Sequence, residues 1–333
     1  MHLKQFAEKL GEDAPRLRKL VRQTVDIFER LRATGTVAQT LDDLARLVHS
    51  GHLADNNVGA NQMSNDRLVE EAKLAVAALF LSREADALAD GLAGYRSLMN
   101  RVFSSSFGSD CRTVLKNTSY RVLTFNYDRL FELAFRQYFP YDGTEAFYGP
   151  TVLNSGLFQV VPQQVQVDLN RFSFLKLHGS VGLYAFEKSG GCHHIHQIPD
   201  PIQQTPITDD EFFVPDGHGI HSNNPKPALV VFPHEKDFLT GYPDNHFPFR
   251  IYIPEVWKAA RHFARQAKEI WFVGYSCPEP DFSAWSSLIA TAESCEKIVI
   301  WNPAADDICE RLRLRLPKQA SLFRGAKRSF DQF

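Results

Sequence analysis

The chain has 333 residues, enough for one large domain or two modest ones, and its 44% hydrophobic and 23% charged residues are typical of a globular protein. Its 37 Lys and Arg residues against 39 Asp and Glu residues give a net charge of −2, so it lacks the positive charge that general nucleic-acid binding requires. The longest apolar run, Leu74 to Leu81, is far shorter than the ~20 residues of a membrane-spanning helix, and the first ten residues are too charged for a secretory signal. Five scattered cysteines disfavour a disulfide framework, so we expect a cytoplasmic protein.

Helical patterns fill residues 1–118, and no convincing strand pattern occurs there. Apolar residues such as Leu17, Val21 and Phe28 recur at helical spacing. The patterns predict a helix over 6–31, a second over 41–48, a Gly- and Asn-rich loop over 51–65, and a long helical region over 66–103 that is broken near Gly91 or Gly94. We therefore predict a helical N-terminal region over 1–118, packed on or part of the domain that follows.

From about residue 119 onward, short apolar strands alternate with amphipathic helices. Strands are predicted over 121–125, 172–177, 183–186, 228–232, 270–273 and 297–301. Helices are predicted over 128–138, 254–266, 281–292 and 304–316, with Pro254 at the first position of its helix. Residues 187–227 are polar and indicate a loop. This alternation is typical of an α/β fold with a mainly parallel sheet covered by helices.

Polar or small residues follow four of these strands, where ligands bind in open α/β sheets. They are Asn126 and Asp128 after the first strand, His178 and Gly179 after the second, Gly274 and Ser276 after the strand at 270–273, and Asn302 after the strand at 297–301. Each also has a local interpretation, since Asn and Asp cap helices, Gly and Asn-Pro form turns, and a single His is more often structural. The four ends together favour a polar, phosphate-bearing ligand.

The motifs around these residues resemble those of the sirtuin family, in the prokaryotic sirtuin-like branch. Residues 124–128 (T-F-N-Y-D) resemble the sirtuin T-x-N-x-D motif, and residues 176–180 (K-L-H-G-S) resemble its His-Gly motif. Residues 274–281 (G-Y-S-C-P-E-P-D) are similar to that branch's form of the Gly-Thr-Ser loop, and residues 301–303 (W-N-P) match its later strand-Asn element. The resemblance covers roughly residues 119–316 and implies a Rossmann-like NAD-binding domain over 119–333.

The same resemblance implies an activity and a role for each motif residue. It implies hydrolysis of NAD to nicotinamide and ADP-ribose, as in effectors of bacterial antiviral defence, with NAD as substrate and with a homo-oligomer or a partner defence protein. By analogy, His178 is the general base, and Asn126 orients the water or the nicotinamide ribose. The implied NAD-binding residues are Thr124, Asp128 (to the carboxamide), Gly179, Gly274, Ser276 (with Gly274, to phosphate or ribose) and Asn302 (to the adenosine ribose).

The sequence departs from the family pattern in two ways. Zinc-dependent deacylases of the family carry two C-x-x-C pairs after the His-Gly strand, whereas this chain has only Cys192 in that interval. The family also opens with a strand and a Gly-rich loop that holds the pyrophosphate, and no such pattern precedes residue 119. The alternatives to an NAD hydrolase are therefore a non-catalytic module that binds NAD or ADP-ribose or serves in assembly and, more weakly, an NAD-dependent deacylase.

Two further clusters of residues could form sites. Cys192, His194 and His196 would share one face of an extended segment, but flanking Gly and Pro residues indicate a loop, and structural zinc sites usually have four ligands. We therefore expect no metal. The run of Arg311, Arg313 and Arg315 is interpreted as a solvated helix face and not as a phosphate site.

Overall fold

The structure is a computed structural model that describes residues 2–33, 65–109, 113–114, 118–139, 153–154, 157–160, 174–188, 192–197, 207–213, 228–230 and 247–333. Before residue 119, every regular element in these ranges is helical, as predicted. The longer helices there are α1 (His2–Lys9), α2 (Pro15–Ala33), α3 (Asn65–Leu81), α4 (Glu84–Ala89) and α5 (Ala93–Phe103). The predicted helix over 41–48 and all of the loop predicted over 51–65 except Asn65, which begins α3, lie outside the described residues.

Two of the predicted helical regions are subdivided. The region over 6–31 forms α1 and α2, and Pro15 begins α2, where its missing N–H group costs no hydrogen bond. The region over 66–103 forms α3, α4 and α5. The predicted break near Gly91 is confirmed, because Gly91 (φ 71°) and Leu92 (φ 52°) both have left-handed backbone conformations. A second break, at residues 82–83, was not predicted.

Two small parallel sheets form the centre of the second part of the chain. In the first, β1 (Val122–Thr124) pairs with β4 (Phe174–Lys176), and Thr124 lies opposite Lys176. In the second, β8 (Glu269–Val273) and β10 (Phe323–Ala326) flank the central strand β9 (Lys297–Trp301). These pairings confirm parallel strands at four of the predicted positions and add β10.

A third sheet is antiparallel, which the sequence patterns did not predict. Its strands are β2 (Leu153–Asn154), β3 (Leu157–Val160), β5 (Gly179–Lys188), β6 (Cys192–Gln197) and β7 (Ala228–Val230), in the order β2-β3-β6-β5-β7. The loop predicted over 187–227 was wrong at β6 and at the short helix α7 (Asp209–Phe213). Cross-strand pairing with β3 and β5 gives the polar β6 segment a strand conformation that its composition does not favour.

Four helices accompany the sheets: α6 (Leu130–Tyr138), α8 (Phe247–Gln266), α9 (Phe282–Thr291) and α10 (Ala305–Arg315). The predicted start of α8 at Pro254 was wrong, because the helix begins at Phe247 and contains Pro254 in its interior. The expectation used the preference of proline for the first helical turn, but a longer helix also tolerates it when packing holds the flanking turns. The Trp257 indole of α8 donates to the Leu177 carbonyl at 3.0 Å, which ties this helix to the end of β4.

Buried contacts join the N-terminal helices to the sheets. Phe103 of α5 packs edge-on against Phe135 of α6, with ring centroids 5.4 Å apart, in a core that also contains Phe174. Arg129 makes a two-pronged ion pair with Glu84 of α4, at 2.5 Å and 2.8 Å, and both side chains are buried. Within the described part of the chain, no helix is long and apolar enough to cross a membrane.

Candidate functional site

The loops that follow β1 and β4 lie side by side. Because these strands are parallel and in register, their carboxyl ends lie at the same end of the sheet, as the sequence predicted. The Leu177 amide donates to the Thr124 carbonyl at 2.9 Å, and the Val181 amide donates to the Tyr127 carbonyl at the same distance. These two backbone bonds join the T-F-N-Y-D segment to the K-L-H-G-S segment.

The ends of β8 and β9 are joined in the same way. The Gly274 amide donates to the Trp301 carbonyl at 2.9 Å, and Gly274 has a φ of 69°, which favours glycine at this turn. The Asn302 side-chain oxygen accepts a hydrogen bond from the Ala304 amide at 2.9 Å, so Asn302 has the turn-forming role that its local sequence indicates. Ser276 is exposed, and its carbonyl accepts from the Arg311 guanidinium at 2.6 Å. Arg311 lies on an exposed helix face, as expected. Its hydrogen bond also holds the loop that begins at Gly274.

His178 and Asp281 connect the two pairs of strands. The Nε2 atom of His178 lies 3.3 Å from Oδ1 of Asp281, and both side chains are buried. The second carboxylate oxygen of Asp281 accepts a 2.7 Å hydrogen bond from the Tyr275 hydroxyl. The Tyr275 ring in turn stacks on Phe125, with centroids 5.0 Å apart and planes 11° apart. A His-carboxylate pair thus forms between the His-Gly segment and the start of α9.

Aromatic rings enclose His178, which is only 2% exposed. The Phe125 ring meets the imidazole edge-on at 5.0 Å between centroids, and the Tyr127 ring lies 5.8 Å away. Burial, followed by the neighbouring Asp281 carboxylate, raises the pKa of the Tyr275 phenol, which keeps it a neutral hydrogen-bond donor. The imidazole therefore lies in a largely apolar pocket whose polar wall is Asp281.

Asp128 forms part of the helix start and of the site. Its Oδ1 atom accepts from the Leu130 amide at 3.0 Å, so α6 begins at Leu130, two residues later than predicted. The Tyr95 hydroxyl lies 3.5 Å from the same oxygen. Burial and the Asp128 charge raise the pKa of Tyr95, which keeps its hydroxyl protonated as a donor. Asp128 thus forms the turn immediately before α6 and also lies near the end of β1.

A buried lysine of β4 makes hydrogen bonds to the loop that follows β1. Lys176 of β4 donates to Glu132 of α6 at 2.8 Å and also to the Asp128 carbonyl. Its side chain is fully buried, and that of Glu132 is almost so. A buried charge is stable only when it is paired in this way, so Lys176 holds the loop of Asp128 against α6.

A cavity of about 1030 Å3 opens between β1 and β8. Of the predicted site residues, Thr124, Asn126, Asp128 and Gly274 line it, together with Tyr95. The other four, His178, Gly179, Ser276 and Asn302, are not part of the lining. Asn126 is exposed, and its backbone amide donates to the Thr124 hydroxyl at 3.0 Å. Gly179 begins β5 with a φ of 77°. The structure thus brings half of the predicted set to one cavity, with the His-Asp pair behind the Phe125 and Tyr275 rings.

The C-terminal segment covers the cavity beside Gly274. The Phe330 ring packs edge-on against Tyr95 at 4.9 Å between centroids, and its Cγ atom lies 3.6 Å from where a Gly274 Cβ would be. At Gly94 a Cβ atom would meet the same ring at 2.5 Å. Glycines 94 and 274 therefore allow this phenylalanine to seat closely at the edge of the site.

No metal centre is found in the part of the chain that the structure describes, where no group of three or more His, Cys, Asp or Glu residues could hold an ion. Cys192, His194 and His196 belong to β6, so their backbone is extended, and the contacts of their side chains lie outside the described features. Cys277 is a free, buried thiol, and burial raises its pKa to about 12. Such a thiol is a poor nucleophile, because the thiolate is the reactive form.

Three site residues were missed as functional candidates in the sequence. Asp281 stands in the G-Y-S-C-P-E-P-D motif, but its pairing with His178 depends on how the strands assemble. Lys176 directly precedes the His-Gly segment, and its burial could have been suspected from a lysine within an apolar strand. Tyr95 comes from the helical N-terminal region and carries no signal in the sequence that links it to the later motifs.

Comparisons of this chain with protein-family models, with curated proteins and with solved structures found no match.

Proposed function

We propose that this chain binds NAD at the carboxyl ends of β1, β4, β8 and β9 and hydrolyses the bond between nicotinamide and ribose. The observation that carries the proposal is the His178–Asp281 pair, 3.3 Å apart, behind a cavity lined by Asn126, Asp128 and Gly274. In this proposal the two parallel sheets are parts of one Rossmann-like arrangement, in which ligands bind beyond the strand ends.

The chemistry of the pair suits this reaction. Cleavage of an N-glycosidic bond passes through an oxocarbenium-like state, which needs a positioned base and fixed polar groups. A carboxylate beside one imidazole nitrogen orients the ring and leaves the other nitrogen able to accept a proton. In our proposal Asp281 does this for His178, which activates a water or a ribose hydroxyl, and the exposed amide of Asn126 orients that water or ribose.

The cavity mouth offers polar groups for the rest of the ligand. Gly274 is exposed at the end of β8, and in our proposal a phosphate or ribose lies beside it on the side that Phe330 does not cover. Tyr95 and Asp128 offer a hydroxyl donor and a carboxylate acceptor, the groups that a carboxamide requires. The proposed biological role, NAD depletion in bacterial antiviral defence, rests on the motif resemblance alone.

A second candidate is a module that binds NAD or ADP-ribose without turnover. It is favoured by one observation, the burial of His178 to 2% exposure beneath the Phe125 and Tyr127 rings. A base must come within hydrogen-bond distance of the proton that it removes, so turnover requires one of these rings to move. A binding module requires no such movement.

Calorimetric titration with NAD and ADP-ribose, combined with a nicotinamide-release assay, tests the proposal. Asn126→Ala removes an exposed side chain and should weaken NAD binding or release without lowering thermal stability, whereas the exposed Asn100→Ala serves as the matched control. Nicotinamide release that Asn126→Ala reduces supports the hydrolase. Binding of ADP-ribose without release supports the binding module, and a protein that neither binds nor releases contradicts both.

A further inference from the structure

Two sheet edges face the same cavity. Among the described strands, β1 pairs only with β4 and β8 only with β9, so each has one open edge. Residues 119–126 and 268–275 all line the cavity of about 1030 Å3, which therefore extends along the full length of both strands. An open edge presents unpaired N–H and C=O groups that can pair with another strand.

The two edge strands run in the same direction. Near the start of β1, the Arg121 guanidinium lies 5.1 Å from the Phe263 ring, which comes six residues before β8. Near the ends of both strands, Phe125 stacks on Tyr275 at 5.0 Å. The starts of β1 and β8 therefore lie near each other, and so do their ends. One extended segment can thus lie along both open edges at once.

Burial differs between the strands beside the cavity and their partners. All residues of β4 are buried, as are four of the five in β9. The apolar residues of β1 and β8 are only half-buried, although they belong to the same parallel sheets. Parallel strands covered by helices on both faces are normally buried throughout. These half-buried residues of β1 and β8 all line the cavity.

The cavity has apolar walls on both faces of the sheet. Trp271 of β8 contacts Phe333 of the C-terminal segment at 5.8 Å between centroids, on the side where Leu98 and Val102 of α5 line the cavity. Its neighbour Phe272 contacts Trp285 of α9 on the opposite side, where Leu288, Ile289 and Phe263 line it. Alternate side chains of an inserted strand would thus meet apolar surfaces on both faces, which calls for a continuous apolar segment.

One polar group of the lining indicates the charge at one end of that segment. The Nε atom of Arg121 is buried and has no hydrogen-bond acceptor within the described structure. Its Nη1 atom donates to the carbonyls of Thr118 and Tyr120, which hold the guanidinium at the start of β1. A carboxylate on the occupant would satisfy the remaining donor and pair with the charge.

We propose that a second polypeptide inserts an extended apolar segment between β1 and β8, paired with both edges and parallel to them, with an acidic residue beside Arg121. Within the described part of the chain, each strand that contains one of the six predicted segments already has its own partner. Strand addition to open sheet edges is an established mode of peptide recognition.

A fluorescein-labelled peptide, Asp-Val-Val-Ile-Val-Val-Ser-Lys, tests this on the full chain by fluorescence anisotropy and by hydrogen exchange with mass spectrometry. We expect saturable binding with a Kd in the micromolar range or tighter, together with protection of both 121–125 and 269–273. The same peptide with N-methyl groups on alternate residues, which cannot form one of the two hydrogen-bond ladders, should bind about tenfold more weakly or worse. Absence of binding, equal binding of the methylated peptide, or protection of only one segment would overturn the proposal.

A charge exchange tests the position of the acidic residue. Arg121→Glu should weaken binding of the Asp peptide, because two negative charges then meet. It should strengthen binding of a peptide with Lys in place of Asp, because opposite charges then meet. Lys258→Glu, on an exposed position of α8, is the matched control and should leave both affinities unchanged. If both peptides respond alike to Arg121→Glu, the assigned orientation is wrong.

Discussion

The imidazole of His178 and the carboxylate of Asp281 lie 3.3 Å apart, although the first follows β4 and the second ends the turn into α9. The Tyr275 hydroxyl holds the other oxygen of Asp281, so the carboxylate is fixed from two sides. The carboxylate therefore has a defined orientation beside the buried imidazole. The pair therefore joins the segments that follow the two parallel sheets.

The Tyr275–Asp281 contact predicts how stability depends on alkaline pH. Burial and the Asp281 charge raise the pKa of Tyr275 in the folded protein above the value of about 10 in the unfolded chain. Above pH ~10 the unfolded state loses the proton while the folded state keeps it, so the free energy of unfolding falls as pH rises. The slope from this group is at most about 1.4 kcal/mol per pH unit.

Urea unfolding at pH 8, 10 and 11 measures this dependence. Tyr275→Phe should be less stable than the wild type at pH 8, because Asp281 loses a buried hydrogen bond, but its stability should decline less steeply above pH 10. Tyr120→Phe, at an exposed tyrosine, is the control and should keep the wild-type slope. Parallel curves for Tyr275→Phe and the wild type would contradict this account.

The Arg129–Glu84 ion pair should stabilise the junction between α4 and the start of α6. Both groups are buried, so removal of one partner leaves an uncompensated charge, which costs about 3–5 kcal/mol. We expect this loss for Arg129→Met and for Glu84→Leu, measured by urea unfolding. The double variant should lose less than the sum of the two, since no buried charge is left.

The exposed Lys4–Glu29 pair provides the comparison. Lys4→Met should leave the free energy of unfolding nearly unchanged, because water and salt screen an exposed pair. Strict additivity of the Arg129 and Glu84 losses would show that the two side chains do not act as a pair.

The close approach of Phe330 to Gly94 predicts a change of sign in a double-mutant cycle. In the wild type, Gly94→Ala places a methyl group 2.5 Å from the Phe330 ring, and such overpacking costs about 1–3 kcal/mol. In a Phe330→Ala background the clash is absent, and replacing a helical glycine should raise stability. Thermal or urea unfolding of the four proteins measures the coupling, and a Gly94→Ala effect that is equal in both backgrounds would contradict the packing described.

The sequence predicted the strands of the parallel sheets better than the other elements. The segments at 121–125, 270–273 and 297–301 are short apolar runs between turn residues, and that signal is local. The strand at Cys192–Gln197 could not be predicted, because its residues are polar and its conformation depends on pairing with distant strands. The start of α8 at Phe247 was missed because proline is a first-turn signal that tertiary packing can override.

In the candidate site, too, local features could be predicted from the sequence and long-range contacts could not. Asn126 and His178 could be placed at strand ends from their immediate neighbours, and parallel pairing of β1 with β4 brings those ends together. The contact of His178 with Asp281 and the position of Tyr95 depend on packing between segments far apart in the chain. No local pattern reports such contacts, and the burial of His178 could likewise not be read from the residues beside it.

The most direct test of the central claim is nicotinamide release from NAD by the wild type, His178→Gln and Asp281→Asn, with His262→Gln on α8 as the matched control. We predict that the wild type releases nicotinamide and ADP-ribose in equal amounts and that His262→Gln does the same. Both site variants should lose about 10²-fold or more of the rate, while melting temperatures show that they remain folded. Absence of release by the wild type, or equal rates for the wild type and folded His178→Gln, would contradict the assignment of His178 as the base of an NAD hydrolase.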